Sequence, residues 1–162
     1  VKQTQTSLKE MKLIGITART NNANEINPTL AKISPTVQKY FFGGLPSQIP
    51  NRLKPQTTYC AFTDYESDTT GDYTYFIGEE VSSFEDVPEG FQTLTIPPQA
   101  YAKFTTEAGP MPDVVIGAWQ KIWQMTPQDL GGSRGFRTDF EIYDERAADP
   151  QNVTFDLYIG IK

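Results

Sequence analysis

Residues 95–124, TIPPQAYAKFTTEAGPMPDVVIGAWQKIWQ, carry a strand, a break and a helix in immediate succession, and their reading decides the fold class. Pro97-Pro98 closes a short strand over 91–96, because neither proline can donate to a sheet ladder. Beyond them Tyr101, Lys103 and Thr105 alternate with Ala102, Phe104 and Thr106, the two-residue period of a strand. In EAGPMPD, Pro112 suits a first helical turn and Asp113 the positive end of a helix dipole. The apolar residues of VVIGAWQKIWQM then recur at helical spacing, with Val115, Trp119, Ile122 and Trp123 on one stripe, and the helix stops near Pro127.

Outward from this stretch the same plan recurs. Downstream, DLGGSRG reads as a loop, FRTDFEIYDE as a strand, DERAADPQN as a turn, and VTFDLYIGIK as a closing strand with Phe155, Leu157, Ile159 and Ile161 facing one way. Upstream, Leu13, Ile14 and Ile16 mark a first strand. Ile26, Leu30, Ile33, Val37, Tyr40 and Phe41 follow at three- and four-residue steps, predicting a helix over 25–42 that Pro35 kinks or splits. GGLPSQIPNRLKP is a loop into a strand over 57–65, and DYTYFIGEEV returns with Tyr73, Tyr75 and Ile77 on one face. The order predicts an α+β fold of duplicated strand-helix-strand-strand units, about 10–85 and 90–162. Together they form one domain over 10–162: a mostly antiparallel sheet with two helices flanking a ligand cleft. Residues 1–9 are polar and are expected to be a flexible, frayed N-terminus.

Composition excludes several chemistries. The 162 residues hold 14 Lys+Arg and 20 Asp+Glu, for a net charge of −6, with no His and one Cys. Without imidazole there is no Ser-His-Asp or Cys-His nucleophile, no His-built zinc site and no His general base. One Cys forms neither an internal disulfide nor a thiolate cluster. The acidic balance, with Arg134 and Arg137 the longest basic cluster, argues against direct nucleic-acid contact. No apolar run approaches the roughly 20 residues that span a bilayer, and VKQTQTSLKE lacks a signal peptide's apolar stretch, so the expected location is the cytoplasm.

Two features could carry chemistry. Aromatic residues make up 12% of the chain, enough for some to line a cavity that stacks flat molecules or attracts cations. Trp119 and Trp123, one turn apart, are the leading candidates, although both also suit packing against the sheet. Glu141 sits inside a strand with Tyr143 on its face and Phe140 and Ile142 on the other. Beneath the helices it would be a desolvated carboxylate suited to a cationic ligand; on the outer face it would be an ordinary solvated residue. The run Asp64, Glu66, Asp68 and Asp72 lacks the Gly and closing Glu of a calcium loop. Gly43-Gly44 and Gly131-Gly132 lack the Lys and context of a phosphate loop, and Cys60 reads as a buried, inert thiol.

GDYTYFIGEEV, residues 95–124, DFEIYDE and VTFDLYIGIK, in that order and spacing, resemble the effector-binding domain of GyrI-like proteins and of some AraC-type and multidrug-responsive regulators. The similarity runs from about residue 11 to 162 and is greatest to stand-alone, integron-associated members. It implies a cleft for organic, often cationic, molecules whose charge is met by the Glu on the penultimate strand, here Glu141. It implies aromatic walls that map onto Trp119, Trp123, Tyr40, Tyr59, Tyr75 and Tyr158. The family's closing isoleucine-proline-isoleucine-lysine reads Ile159-Gly160-Ile161-Lys162 here, which bears on strand-end stiffness.

The expected function is small-molecule binding without catalysis, cofactor, metal or attached DNA-binding domain. It would serve as a sensor paired with a separate regulatory protein or as a sequestering protein, in a monomer or small oligomer. The alternatives are hydrolysis of a reactive organic compound, with Glu141 as base and Tyr59 or Tyr75 as proton donor, and a protein-interaction role like gyrase inhibition.

Overall fold

A computed structural model describes residues 2–162. The strands are β1 (Lys2–Leu8), β2 (Met11–Thr20), β3 (Thr58–Thr63), β4 (Tyr73–Glu80), β5 (Gln92–Ile96), β6 (Gln99–Thr105), β7 (Thr138–Tyr143) and β8 (Asp156–Ile161). The α-helices are α1 (Asn22–Glu25), α2 (Ile33–Phe42), α3 (Asp113–Gln124) and α4 (Pro127–Leu130). The fold is α+β, with one sheet in the order β1-β6-β8-β7-β3-β4-β2-β5 and every pair antiparallel.

That order is symmetric about the β7–β3 seam, with β2-α2-β3-β4 on one side and β6-α3-β7-β8 on the other. The two outermost strands are exchanged between the halves. β1 precedes β2 in the chain but pairs with β6, whereas β5 precedes β6 and pairs with β2. The expectation of a frayed N-terminus is therefore corrected for Lys2–Leu8, which pair in continuous register with Thr105–Gln99; Val1 lies outside the described residues. The polar sequence misleads because an edge strand needs only its backbone partners, and its side chains stay in water.

The exchange also bends the sheet. β1 and β2 stand six strand spacings apart, roughly 29 Å in a flat sheet, yet Lys9 and Glu10 join them with a reach of about 11 Å. Pro97-Pro98 joins β5 to β6 under the same constraint. The sheet curls accordingly, and its inner face gathers Met11, Leu13, Tyr59, Ala61, Phe76, Ile96, Tyr101, Phe140 and Tyr158, from every strand between β2 and β8, into one core. The helices cover the opposite face, α2 over Ile14, Ile16, Cys60, Tyr75 and Ile77, and α3 over Phe104, Phe155, Leu157 and Ile159.

Between β2 and β4 the backbones meet at Gly15 opposite Gly78. A Cβ at Gly15 would run into the carbonyl oxygen of Ile77, and one at Gly78 into that of Ile14.

Two local readings are revised. The helix expected over 25–42 is a single turn, α1, followed by α2 from Ile33; Ile26 and Leu30 are exposed. Pro28 disfavours helical geometry at Asn27, and the Glu25 carboxylate accepts the Lys32 and Ile33 amides that open the new helix. Pro35, in the first turn of α2, removes an N–H that would have no helical partner and so causes no kink. The loop expected over 129–135 begins inside α4, which starts at Pro127 behind a Thr126–Asp129 capping box and ends at left-handed Gly131.

Candidate functional site

β7 and β3 form the floor between the two helices. Glu141 lies opposite Cys60, and strand alternation turns Asp139, Glu141 and Tyr143 toward the helix-bearing face. Trp119 reaches the same point from α3. Trp119 and Tyr143 each pack against both helix-side clusters, so they stand at the boundary between the halves.

Both donate to Glu141. The Trp119 indole Nε1 is 2.7 Å from Oε2, and the Tyr143 hydroxyl is 2.8 Å from Oε1. The carboxyl is 4% exposed, and among the described residues no Lys or Arg forms an ion pair with it. Burial pushes its pKa up to about 7, against the opposing pull of the two hydrogen bonds, which favour the anion.

Aromatic rings enclose this acid. Phe62, beside Cys60 on β3, meets Trp119 edge-on at 5.0 Å, Tyr75 at 5.5 Å and Tyr73 at 5.7 Å. Tyr143 stacks on Phe155 at 5.0 Å. Burial lifts the Tyr75 hydroxyl well above its ordinary value, with the Cys60 thiol and the Glu141 carboxylate adding to the rise. The hollow beneath α3, lined by Phe104, Ala118, Ile122, Met125 and Leu157, encloses about 100 Å³ and does not include Glu141. Trp119 itself closes the acid from above.

The candidate residues divide by sheet face. Glu141, Trp119 and Tyr75 come together. Trp123 is exposed, tilted 39° to Trp119 at 6.4 Å, and flanks the group from outside. Tyr40, on α2, is buried against the same sheet face, near Glu79 and Cys60. Tyr59 and Tyr158 are corrected: both belong to the inner core, stacked on Phe140 at 6.2 and 4.6 Å, and the Tyr59 hydroxyl donates to Glu80 at 3.0 Å. Tyr59 follows the odd positions of β3, opposite in sense to Cys60, so it cannot donate a proton beside Glu141.

Tyr143, Phe62, Cys60, Asp139 and Glu79 share the Glu141 face without having been singled out as site residues. Alternation was the signal available: Tyr73, Tyr75 and Ile77 lead to Glu79, and Glu141 leads back to Asp139. Asp139 is held by Arg134 at 2.6 Å, the Tyr65 hydroxyl at 2.5 Å and the Gly160 amide at 2.7 Å, so its charge is met within the chain. No three His, Cys, Asp or Glu side chains are grouped to hold a metal among the described residues. None of the helices there is long and apolar enough to cross a membrane.

The family model of Cass2, integron-associated effector binding protein, matches residues 6–161. YobU of Bacillus subtilis, named as a transcriptional regulator, is 29% identical over 157 residues, 97% of this chain and 96% of its own. An integron cassette protein from the mobile metagenome of Vibrio cholerae superposes with a TM-score of 0.79 at 25% identity, over 99% of this chain and 95% of that one. The structure of SAV2435 bound to tetraphenylphosphonium is alike in fold, with a TM-score of 0.79 at 16% identity over 100% and 94% of the two chains.

Proposed function

Since this chain belongs to the Cass2 family of integron-associated effector binding proteins, we propose that it binds lipophilic organic cations at Glu141, between α2 and α3. One observation carries the reading: a buried carboxylate with an aromatic surround and no cation of its own among the described residues. Such a charge is costly unless a positive group offsets its desolvation, and rings supply affinity for the ligand's body. SAV2435, alike in fold, was solved with tetraphenylphosphonium, which supports that cation as the probe.

Binding begins with displacement. Trp119 occupies Oε2, so an incoming cation takes that oxygen from the indole while Tyr143 keeps its hold on Oε1. Phe62, Tyr75 and the displaced indole form the wall, and Trp123 extends it toward solvent. The cytoplasm is the setting we assign, in accord with a lone, free Cys60 buried in the core.

Tryptophan fluorescence with tetraphenylphosphonium and neutral triphenylphosphine oxide tests this reading. Saturable quenching by the cation is expected, weakened at least about thirtyfold in Glu141→Gln, since removing one member of a buried charge pair costs about 2 kcal/mol or more. Equal affinity in both proteins would remove Glu141 from the site. The carboxyl's basicity near neutrality also suits a general base, with Tyr143 as the adjacent hydroxyl. Turnover of an electrophilic ester that is lost in Glu141→Gln would move the assignment to hydrolysis.

A further inference from the structure

A second acid lies on the same floor. Glu79 of β4 is 1% exposed, and its Oε1 has no hydrogen-bond partner. The Tyr40 hydroxyl, reaching down from α2 nearby, is also buried and without a partner. Glu79 meets Arg52 at 3.7 Å, a long contact from a side chain that is partly in water, and accepts the Gln56 amide. Burial still raises the Glu79 pKa in spite of Arg52, so the charge is incompletely offset. Tyr40, Arg52 and Cys60 are the groups that face this corner.

Register fixes where it stands relative to Glu141. Glu141 pairs with Cys60, Cys60 with Ile77, and Glu79 follows two residues along β4, so all four side chains point to the helix side. Two strand spacings across and two residues along place the carboxylate-bearing Cα atoms about 12 Å apart. Cys60 and Ile77 lie between them, in one continuous cluster that also includes Tyr40.

We propose that Glu79 and the Tyr40 hydroxyl form a second polar subsite, and that the preferred effectors are elongated aromatic dications that bridge Glu141 and Glu79. The assignment rests on the cation-binding reading of Glu141 and extends it. One ammonium group takes Glu141 from Trp119. The other donates to the open Oε1 of Glu79 and accompanies or replaces Arg52, while the flat body lies over Cys60 and Ile77. The Tyr40 hydroxyl then has an acceptor in Glu79, drawn into alignment by the bound donor.

The test compares 4,4'-bis(aminomethyl)biphenyl, whose rigid core holds two ammonium groups at a comparable span, with 4-(aminomethyl)biphenyl, by calorimetry. The diamine is expected to bind the native chain about tenfold or more tighter than the monoamine, as a second charge-assisted contact implies. Glu79→Gln is expected to abolish that gain and leave the monoamine within about twofold, and Arg52→Met to enlarge the gain, because it removes the competing cation. Thermal melts confirm that both variants are folded. A diamine no tighter than the monoamine, or a gain that survives Glu79→Gln, overturns the second subsite and leaves Glu141 as assigned. Failure of both the monoamine and tetraphenylphosphonium to bind the native chain overturns the cation reading, and the subsite with it.

Discussion

The indole N–H of Trp119, on α3, donates to Oε2 of Glu141, on β7, at 2.7 Å across 22 positions of sequence. This bond ties a helix to the sheet floor and keeps the acid from water. Under the proposed function it also sets a competition, because the atom a bound cation would need is already in use. The hydrogen bond favours the anion, so it holds the carboxyl's pKa lower than burial alone would. Trp119→Phe is therefore expected to raise the Glu141 pKa above about 7, read from the carboxyl carbon shift of labelled glutamate. At pH 9, where the acid is ionised in both proteins, the variant should bind tetraphenylphosphonium more tightly. A pKa that falls in Trp119→Phe would show that the indole does not stabilise the anion.

Binding should depend on pH with a definite sign. Only ionised Glu141 neutralises a cation, and its pKa in the free protein is about 7. Affinity for tetraphenylphosphonium, which has no titrating group, should be level above pH 8 and fall toward about tenfold per unit below pH 7. Calorimetry between pH 5.5 and 8.5 reads this directly, and a flat profile would place the bound charge elsewhere.

The same group destabilises the free protein. Its pKa rises from 4.5 unfolded to about 7 folded, so the native state holds the proton more strongly between those values. Its contribution to stability is accordingly lost as pH climbs from 4.5 to 7 and stays lost above, amounting to about 3 kcal/mol at most. Glu141→Gln should match the native chain near pH 4.5 and exceed it by about 1–3 kcal/mol at pH 8 in urea unfolding. A variant less stable at pH 8 than at pH 4.5, relative to the native chain, would contradict burial of the charge.

The exchanged edge strand is the next target. Removing residues 1–8 strips β6 of its partner β1 and leaves a row of open backbone groups. The shortened chain should melt several degrees lower and self-associate, as seen by circular dichroism and light scattering. Unchanged melting would mean that β1 adds nothing to the sheet.

Gly78→Ala asks for space that the structure does not have, since the new methyl would meet the Ile14 carbonyl where β2 and β4 cross. The expected loss is about 3 kcal/mol or more in urea unfolding, at the upper end for overpacking. Gly117→Ala in α3 has open space around it and should be neutral or slightly stabilising.

Much of this was legible in the chain itself. The two-residue period placed Glu141 with Tyr143 and against Phe140 and Ile142, and Phe155, Leu157, Ile159 and Ile161 on one side of the last strand. The helical stripe containing Trp119 was equally clear, because each of these patterns is local backbone geometry repeated over a few residues. Which face of the strand the helices cover is not local. It followed from closure of the sheet, where two-residue links at Lys9-Glu10 and Pro97-Pro98 force the curl that buries Tyr59 and Tyr158 around Phe140. The polar strand β1 was invisible for the same reason, since its partner is about a hundred residues away and its own side chains carry no apolar period. The chain alone determined which residues share a side; only the tertiary structure decided which side holds the acid, because burial is created by segments that meet across the whole length of the chain.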